Sequence, residues 1–338
     1  MSDIITLSHG TGGKESSNII KKLFVEFFKL KRVNNGIGLD ELDDGSTIPI
    51  NGNEFVFTID SYTVNPIFFS GGDIGKLAAT GTINDIAVMG GIPLAVLDSI
   101  IVEEGFELET LNKIIKSFKN TLEDLNIALL GGDFKVMPKG SLDKIIITVA
   151  GIGMIEKRVT DSGLKPGDKI IVSGFIAEHG ATILAQQMGI DPVESNLRSD
   201  CKPILDAMQT ALKIGGVHAA KDPTRGGLAT ALNELAEKSS VSIKIHESLL
   251  PIREEVAGVC ELLGVDPLYL ASEGLLVLGV DPEYADEIVK SLKKIGYDRA
   301  SIVGEVGDKK PGYVFVETLV GGLRIVEPPS GVPLPRIC

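Results

Sequence analysis

The chain has 338 residues, 43% of them apolar and 23% charged, with a formal net charge of −13. This is the balance of a soluble globular protein with enough length for two cores, and the acidic excess excludes the basic stripes that nucleic-acid binding needs. No apolar run approaches the ~20 residues of a membrane span, and three widely spaced cysteines give neither a disulfide framework nor paired zinc-ligand spacing.

Met1–Gly13 is polar rather than a signal peptide, so a cytoplasmic protein without nucleic-acid or membrane partners is expected, with Cys201 and Cys260 as ordinary thiols. His9-Gly-Thr-Gly-Gly-Lys14 has the composition of a phosphate loop, but the Walker spacing puts Ser8 where Gly belongs and Glu15 where Ser or Thr belongs. A strand is predicted over Glu54–Asp60, followed by a glycine-rich turn and a helix over Asp73–Met89. A second helix, Leu108–Leu125, carries apolar residues at helical spacing and leads to a short strand ending in Gly131-Gly132-Asp133. The strand Lys144–Val149 continues into Gly151–Ile155, where Gly151-Ile-Gly153 lacks the third glycine of a dinucleotide fingerprint.

The stretch Asp161–Asp168 reads as a domain boundary, giving units at 1–160 and 161–326 and a tail at 327–338. The second half restarts with a strand at Lys169–Ser173 and helices from about Gly180, at about Lys202–Lys213 and after Asp222-Pro223. Further strands are predicted at Val241–His246, Leu275–Val280 and Tyr313–Val316, and helices near Arg253–Leu263 and Pro282–Lys294. Strands and helices alternate in both halves, so the fold class is α+β, or mixed α/β. The tail Glu327-Pro-Pro-Ser-Gly-Val-Pro-Leu-Pro-Arg-Ile-Cys338 has four prolines in a dozen residues and cannot form a helix or central strand. An extended tail at roughly 3 Å per residue lets Cys338 sweep ~30 Å, from one site to another.

Carboxylates recur at element ends beside glycine or proline: Asp44, Asp60, Asp85, Asp133 and Asp222. The stripe Ile74, Leu77, Ala78, Gly81 puts Asp85 on the inward face of its helix. It is there either as a cation ligand or as a carboxylate bonded to amides or an Arg. Asp60 and Asp133 are equally compatible with turn chemistry. In Asp222-Pro223-Thr224-Arg225-Gly226-Gly227, Asp222 suits a helix cap and Pro223 the first helical position. The two glycines, costly in a first turn at ~1 kcal/mol each, suit close approach of a phosphate partnered by Arg225. Oxygen ligands without His or Cys suit Mg²⁺ bridging phosphates rather than zinc. His9 and His179 each precede a glycine and are candidate phosphate or substrate contacts.

Thr58-Ile-Asp60-Ser-Tyr, Asn84-Asp85-Ile-Ala-Val-Met-Gly90, Gly131-Gly132-Asp133-Phe-Lys135 and Lys221-Asp-Pro-Thr-Arg-Gly-Gly227 resemble the motif series of the aminoimidazole ribonucleotide synthetase superfamily, which includes selenophosphate synthetase and thiamine monophosphate kinase. His9-Gly-Thr-Gly-Gly13, Ile176-Ala-Glu-His-Gly180, Asp266-Pro-Leu-Tyr-Leu-Ala-Ser-Glu-Gly274 and Pro335-Arg-Ile-Cys338 are most similar to its HypE family of [NiFe]-hydrogenase maturation proteins. Two departures are Phe134 where Thr is often expected and Asp44-Gly45-Ser46 in place of Asp-Gly-Ala.

The resemblance implies a two-domain fold, a homodimer formed by N-terminal strands closing into a barrel-like sheet, and a flexible tail. It implies ATP and Mg²⁺ between the domains, with Asp44, Asp60, Asp85, Asp133 and Asp222 as acidic ligands. Asn84, Thr224, Arg225, Gly226 and Gly227 would flank them, and the segment carrying His9, Gly12, Gly13 and Lys14 would close over phosphate. The implied reaction is ATP-dependent dehydration of an S-carboxamide on Cys338 to a thiocyanate. The carbamoyltransferase HypF would supply the carboxamide and the HypC–HypD iron scaffold would accept the cyanide. Glu273 is the expected base, with Lys135 beside it at the tail's docking site. Two alternatives are a superfamily sibling that phosphorylates a small molecule and a non-catalytic maturation scaffold.

Overall fold

The computed structural model of the chain describes residues 4–191 and 194–331. The tail beyond Gly331, Cys338 included, lies outside the described residues.

Helix α1 (Lys14–Ile20) precedes a five-stranded sheet. Its strands are β1 (Ser46–Ile50), β2 (Asn53–Tyr62), β5 (Gly91–Glu103), β6 (Ala128–Met137) and β7 (Ile145–Ile155), in the order β1-β2-β7-β5-β6; the two-residue strands β3 (Phe68–Phe69) and β4 (Gly72–Asp73) form a separate hairpin. All neighbours in the larger sheet are antiparallel except β5 and β6. Helices α2 (Ile74–Val88) and α3 (Leu108–Asp124) cover one face. On α3 the buried Ile114, Phe118 and Leu122 sit four residues apart, a single stripe against α2. On α2 every residue except Lys76 is buried, as expected of a helix packed on all sides. Its close seat on β7 requires small residues there. A Cβ at Gly151 would lie 2.8 Å from Ile86 and Thr82, and one at Gly153 2.5 Å from Ile86. The two glycines that failed the dinucleotide pattern therefore serve helix–sheet packing.

The second sheet has seven strands: β8 (Lys169–Val172), β9 (Val217–Lys221), β10 (Ser242–His246), β11 (Val277–Val280), β12 (Ser301–Gly307), β13 (Val314–Glu317) and β14 (Leu323–Val326). They run in the order β14-β13-β10-β12-β8-β11-β9, and only β10 and β13 pair in parallel. Ile170 and Val172 point into a core with α4 (Glu178–Gln187), α6 (Gly227–Ser239) and α7 (Glu254–Leu263). Ile171 points to the other face, covered by α5 (Leu205–Ile214) and α8 (Pro282–Lys294). Ala87 and Val88 of α2 join that second core, so α2 is shared by both halves.

The predicted mixed α/β class holds, with two differences in detail. Strands β1, β3, β4, β5, β9, β12 and β14 carry no strand prediction, and β6 runs on to Met137 rather than ending at Asp133. Asp222 does not cap the following helix and Pro223 is not its first residue. The helix opens at Gly227, behind Gly226 at φ +77° and Gly227 at φ +62°. Left-handed backbone at two successive residues first turns the chain, which glycine alone does without strain. Pro223–Arg225 therefore form a loop over the cleft rather than a first helical turn.

Candidate functional site

Between the two halves lies a cleft of about 380 Å³. Thr58 and Asp60 on β2 face α2, because alternate strand residues share a face and Tyr62 packs on the same helix. Asp85 comes from the last turn of α2, Asp44 from the loop before β1, and Asp222 with Thr224 and Arg225 from the loop after β9. His9, Gly12 and Ser16 close the cleft from the N-terminal side, and Gly227 and Thr230 lie at the start of α6.

Four carboxyls face one another here with few cations. Burial pushes Asp85 well above the usual carboxylate range, and Asp60, Asp222 and Asp44 push it further; the Thr58 hydroxyl donating to it at 2.7 Å opposes this. Burial raises Asp44 in the same way against the pull of Lys221, raises Asp60 against that of Arg225, 3.7 Å away, and lifts Asp222 to about 6. Asp44 and Asp222 each keep a buried oxygen with no hydrogen-bond partner among the described residues. Buried acceptors without donors are costly, and they fit a divalent cation. No three acidic, His or Cys side chains among the described residues are grouped to hold a metal by themselves. That donor set matches Mg²⁺, which takes one or two carboxylates and completes its octahedron with water and phosphate oxygens.

Directly behind this wall is a second acidic group that is paired with lysines. Lys221, buried, reaches Asp44 at 2.6 Å, Asp161 at 3.0 Å and Glu234 at 3.1 Å. Lys238 reaches Asp161 at 2.6 Å and Asp43 at 3.2 Å. Burial alone would raise Asp161, but the two ammonium groups outweigh it and hold that carboxyl below its ordinary value. This network ties the segment after β7 to β9, α6 and the Asp43-Asp44 loop, and was not foreseen from the sequence. Lys221 stood next to Asp222 in the quoted motif, and its lysine was the available signal.

The remaining sequence-predicted residues separate. Asn84 does not line the cleft; its Oδ1 accepts from the Ile204 amide at 2.9 Å and its Nδ2 donates to the Glu273 carbonyl at 3.3 Å, so it joins the two halves. Asp133 and Lys135 do not reach the cleft of their own chain. Cross-strand register puts Asp133 in a row with Ser99, Thr148 and Ser61, on the sheet face opposite Asp60. That open face also exposes Phe57, Ile59 and Leu97, while Phe134 is exposed elsewhere on β6. His179 is buried against Phe69 and Ser199, and burial lowers it to about 3, so it is a structural histidine. Glu273, buried in a loop before β11, borders a small cavity with Asp60, Tyr62, Asp85, Asp222 and Thr224.

The C-terminal segment passes the cleft mouth. The Asn233 amide donates to the Val326 carbonyl at 3.0 Å and the Tyr269 hydroxyl to the Glu327 carbonyl at 3.0 Å. The Lys14 amide then donates to the Pro329 carbonyl at 3.2 Å, and the Gly331 amide approaches Glu15 at 3.4 Å. A Cβ on Gly13 would sit 2.4 Å from the Pro329 oxygen, so glycine permits this contact. The glycine loop therefore holds the base of the tail as well as one side of the cleft.

Comparison with known proteins agrees with this architecture. Residues 42–155 match the AIR synthase related protein N-terminal domain, and residues 165–317 the C-terminal domain of the same name. A Methanocaldococcus jannaschii protein named for hydrogenase expression and formation is 47% identical, with 99% of each chain covered. The Escherichia coli carbamoyl dehydratase HypE is 39% identical, again over 99% of each chain. A HypE structure in complex with ATP superposes with a TM-score of 0.81 at 35% identity, covering 99% of this chain and all 100% of that one. The HypE of a HypE–HypF complex gives 0.84 at 36%, over 92% of this chain and 99% of that one.

Proposed function

Because the chain belongs to the HypE family of AIR synthase-related proteins, we propose that it is an ATP-dependent carbamoyl dehydratase of hydrogenase maturation whose substrate is an S-carboxamide on its own Cys338. The observation that carries this reading is the course of the C-terminal segment over the cleft mouth, held by Lys14 and the Gly13 contact. Cys338 lies seven residues beyond Gly331. Seven extended residues span at most about 25 Å, enough to enter the adjoining cleft.

The chemistry asks for what the cleft offers. A carboxamide oxygen leaves poorly as hydroxide and well as phosphate. The oxygen attacks the γ-phosphorus of ATP, ADP departs, and a nitrogen proton is lost. The C–O bond then breaks, phosphate leaves, the second nitrogen proton goes to a base, and S–C≡N remains. The balance is one S-carboxamide and ATP giving one thiocyanate, ADP and phosphate. One or two of Asp44, Asp60, Asp85 and Asp222 would hold each Mg²⁺, which would supply charge neutralisation for the transferred phosphoryl group. Arg225 and the backbone about Gly226-Gly227 would orient phosphate, and the His9–Lys14 segment would shut out water, protecting the activated intermediate from hydrolysis. Glu273, buried beside Asp85 and Asp222, is the assigned base.

HypF, found with HypE in a solved complex, is the proposed carbamoyl donor, and a HypC–HypD scaffold the acceptor. The apolar open face of the N-terminal sheet, with Phe57, Ile59 and Leu97 exposed, is the proposed homodimer surface. Asp133 and Lys135 share that face and would act only once two copies meet. No helix among the described residues is long and apolar enough to cross a membrane, compatible with work in the cytoplasm.

Cys338→Ala tests the substrate assignment. Expected are normal folding and ATP binding, with no ATP consumption in the presence of HypF and carbamoyl phosphate beyond that of HypF alone. Undiminished ATP turnover by this variant would mean that a small molecule, not the tail, is phosphorylated.

A further inference from the structure

We propose that Asp200 and Asn84 are positioning residues for the dehydration, together fixing the backbone that aims Glu273 at the small cavity beside Asp85. This inference rests on the assignment of Glu273 as base.

The loop Ser272–Gly274 has no regular structure to hold it, yet its three amides and the Glu273 carbonyl are committed. The Glu273 amide donates to Asp200 Oδ1 at 3.1 Å and the Gly274 amide to Asp200 Oδ2 at 3.1 Å. The Glu273 carbonyl accepts from Asn84 Nδ2 at 3.3 Å and from the Lys202 amide at 3.4 Å. The Ser272 amide donates to the Pro223 carbonyl at 3.0 Å, next to Asp222. A Cβ on Gly274 would lie 1.9 Å from the Asp200 carbonyl oxygen, so the loop is pressed onto that segment. Glu273 is thus gripped from both halves of the molecule, and the grip from the N-terminal half comes from the residue adjacent to Asp85 on α2. One helix turn sets both a metal-facing carboxylate and the proposed base, which couples their separation.

A carboxylate at position 200 is costly. Burial, reinforced by Glu178, pushes it up to about 7. Only a group with two acceptor oxygens takes both amides. Asparagine would keep one bond and turn an NH₂ donor against the second amide, leaving that amide unpaired.

The test uses the full chain with its tail carbamoylated, in single-turnover dehydration over a range of Mg·ATP concentrations up to saturation. Glu273→Gln, Asp200→Asn and the double variant are compared, with Asn84→Ser as a second probe should Asp200→Asn fail to fold. The expected result is a rate lowered about tenfold or more by Asp200→Asn or by Asn84→Ser, with the KM for ATP within about threefold of the parent. The double variant should be no slower than Glu273→Gln alone, because the grip matters only through Glu273. A rate within about twofold of the parent, losses that multiply in the double variant, or a KM that rises with the whole effect would overturn the positioning role. Full activity in Glu273→Gln would remove the base assignment and this inference with it, an outcome distinct from Asp200→Asn failing while Glu273→Gln is dead.

Discussion

Two acidic groups lie back to back between the halves of this molecule, and they differ in one respect. Asp43, Asp161 and Glu234 sit among Lys221 and Lys238, and the lysines hold Asp161 below its ordinary value, while burial still raises Asp43. Asp85 and Asp222 are buried and Asp60 half-buried beside them; the three face mainly each other, and all are raised. Asp44 stands at the seam, with one oxygen on Lys221 and the other buried without a hydrogen-bond partner among the described residues. A partnered buried charge is scaffold. An acidic group without its cations is a site that awaits some, and the difference separates the two where residue type alone does not.

The comparison breaks most readily at Lys221. Lys221→Met takes the Lys221 ammonium from Asp44 and Glu234 and leaves Asp161 with Lys238 alone, and should destabilise the chain by about 3–5 kcal/mol, measured by urea unfolding. Asp85→Asn should move stability the other way, by on the order of 1 kcal/mol upward in metal-free protein, because it removes a disfavoured charge. The same variant should lose Mg·ATP-dependent dehydration about 100-fold or more. Opposite signs from two buried ionisable residues in neighbouring groups would sharpen the distinction; destabilisation by both would dissolve it.

Acidity separates the groups as well. The raised carboxyls bind protons more readily folded than unfolded, so their contribution is present below about pH 4 and is lost as pH rises through each folded value, about 6 for Asp222. Asp161, held low, contributes above its unfolded value and loses that contribution as pH falls through its folded one. The thermal shift caused by Mg·ATP should therefore be larger at pH 7.5 than at pH 5.5, read by scanning calorimetry. A smaller effect is expected at the cleft mouth. Gly13→Ala forces a Cβ onto the Pro329 oxygen and should cost about 1–2 kcal/mol, speed proteolysis between Glu327 and Gly331, and slow dehydration severalfold. Lys113→Ala, which removes an exposed pair with Glu109 at 2.9 Å, should leave the urea unfolding midpoint and the activity essentially unchanged.

Much of the cleft was readable from the chain because its carboxylates sit at element ends. Asp60 closes a run of alternating residues, and Asp85 continues an apolar stripe as the one charged member on that face. What escaped reading was set by tertiary packing. Strand β5, with Pro93 near its start and several small residues, lacks a period and is a strand because β6 and β7 flank it. Asn84 looked like a ligand through its position beside Asp85, but a helix turns about 100° per residue, so the neighbour of an inward ligand faces elsewhere. Asp133 and Lys135 share a motif with Gly131-Gly132, yet strand alternation and register carry them to the far face of the sheet, a fact no local pattern contains.

The most direct measurement is intact-protein mass spectrometry of the purified chain with HypF, carbamoyl phosphate and ATP, followed by mapping of the C-terminal peptide. The expected result is a carboxamide gained at Cys338, then loss of the mass of one water only when hydrolysable ATP is present. A chain that consumes ATP while Cys338 stays unmodified, or that keeps its carboxamide intact over repeated turnover, would contradict the account.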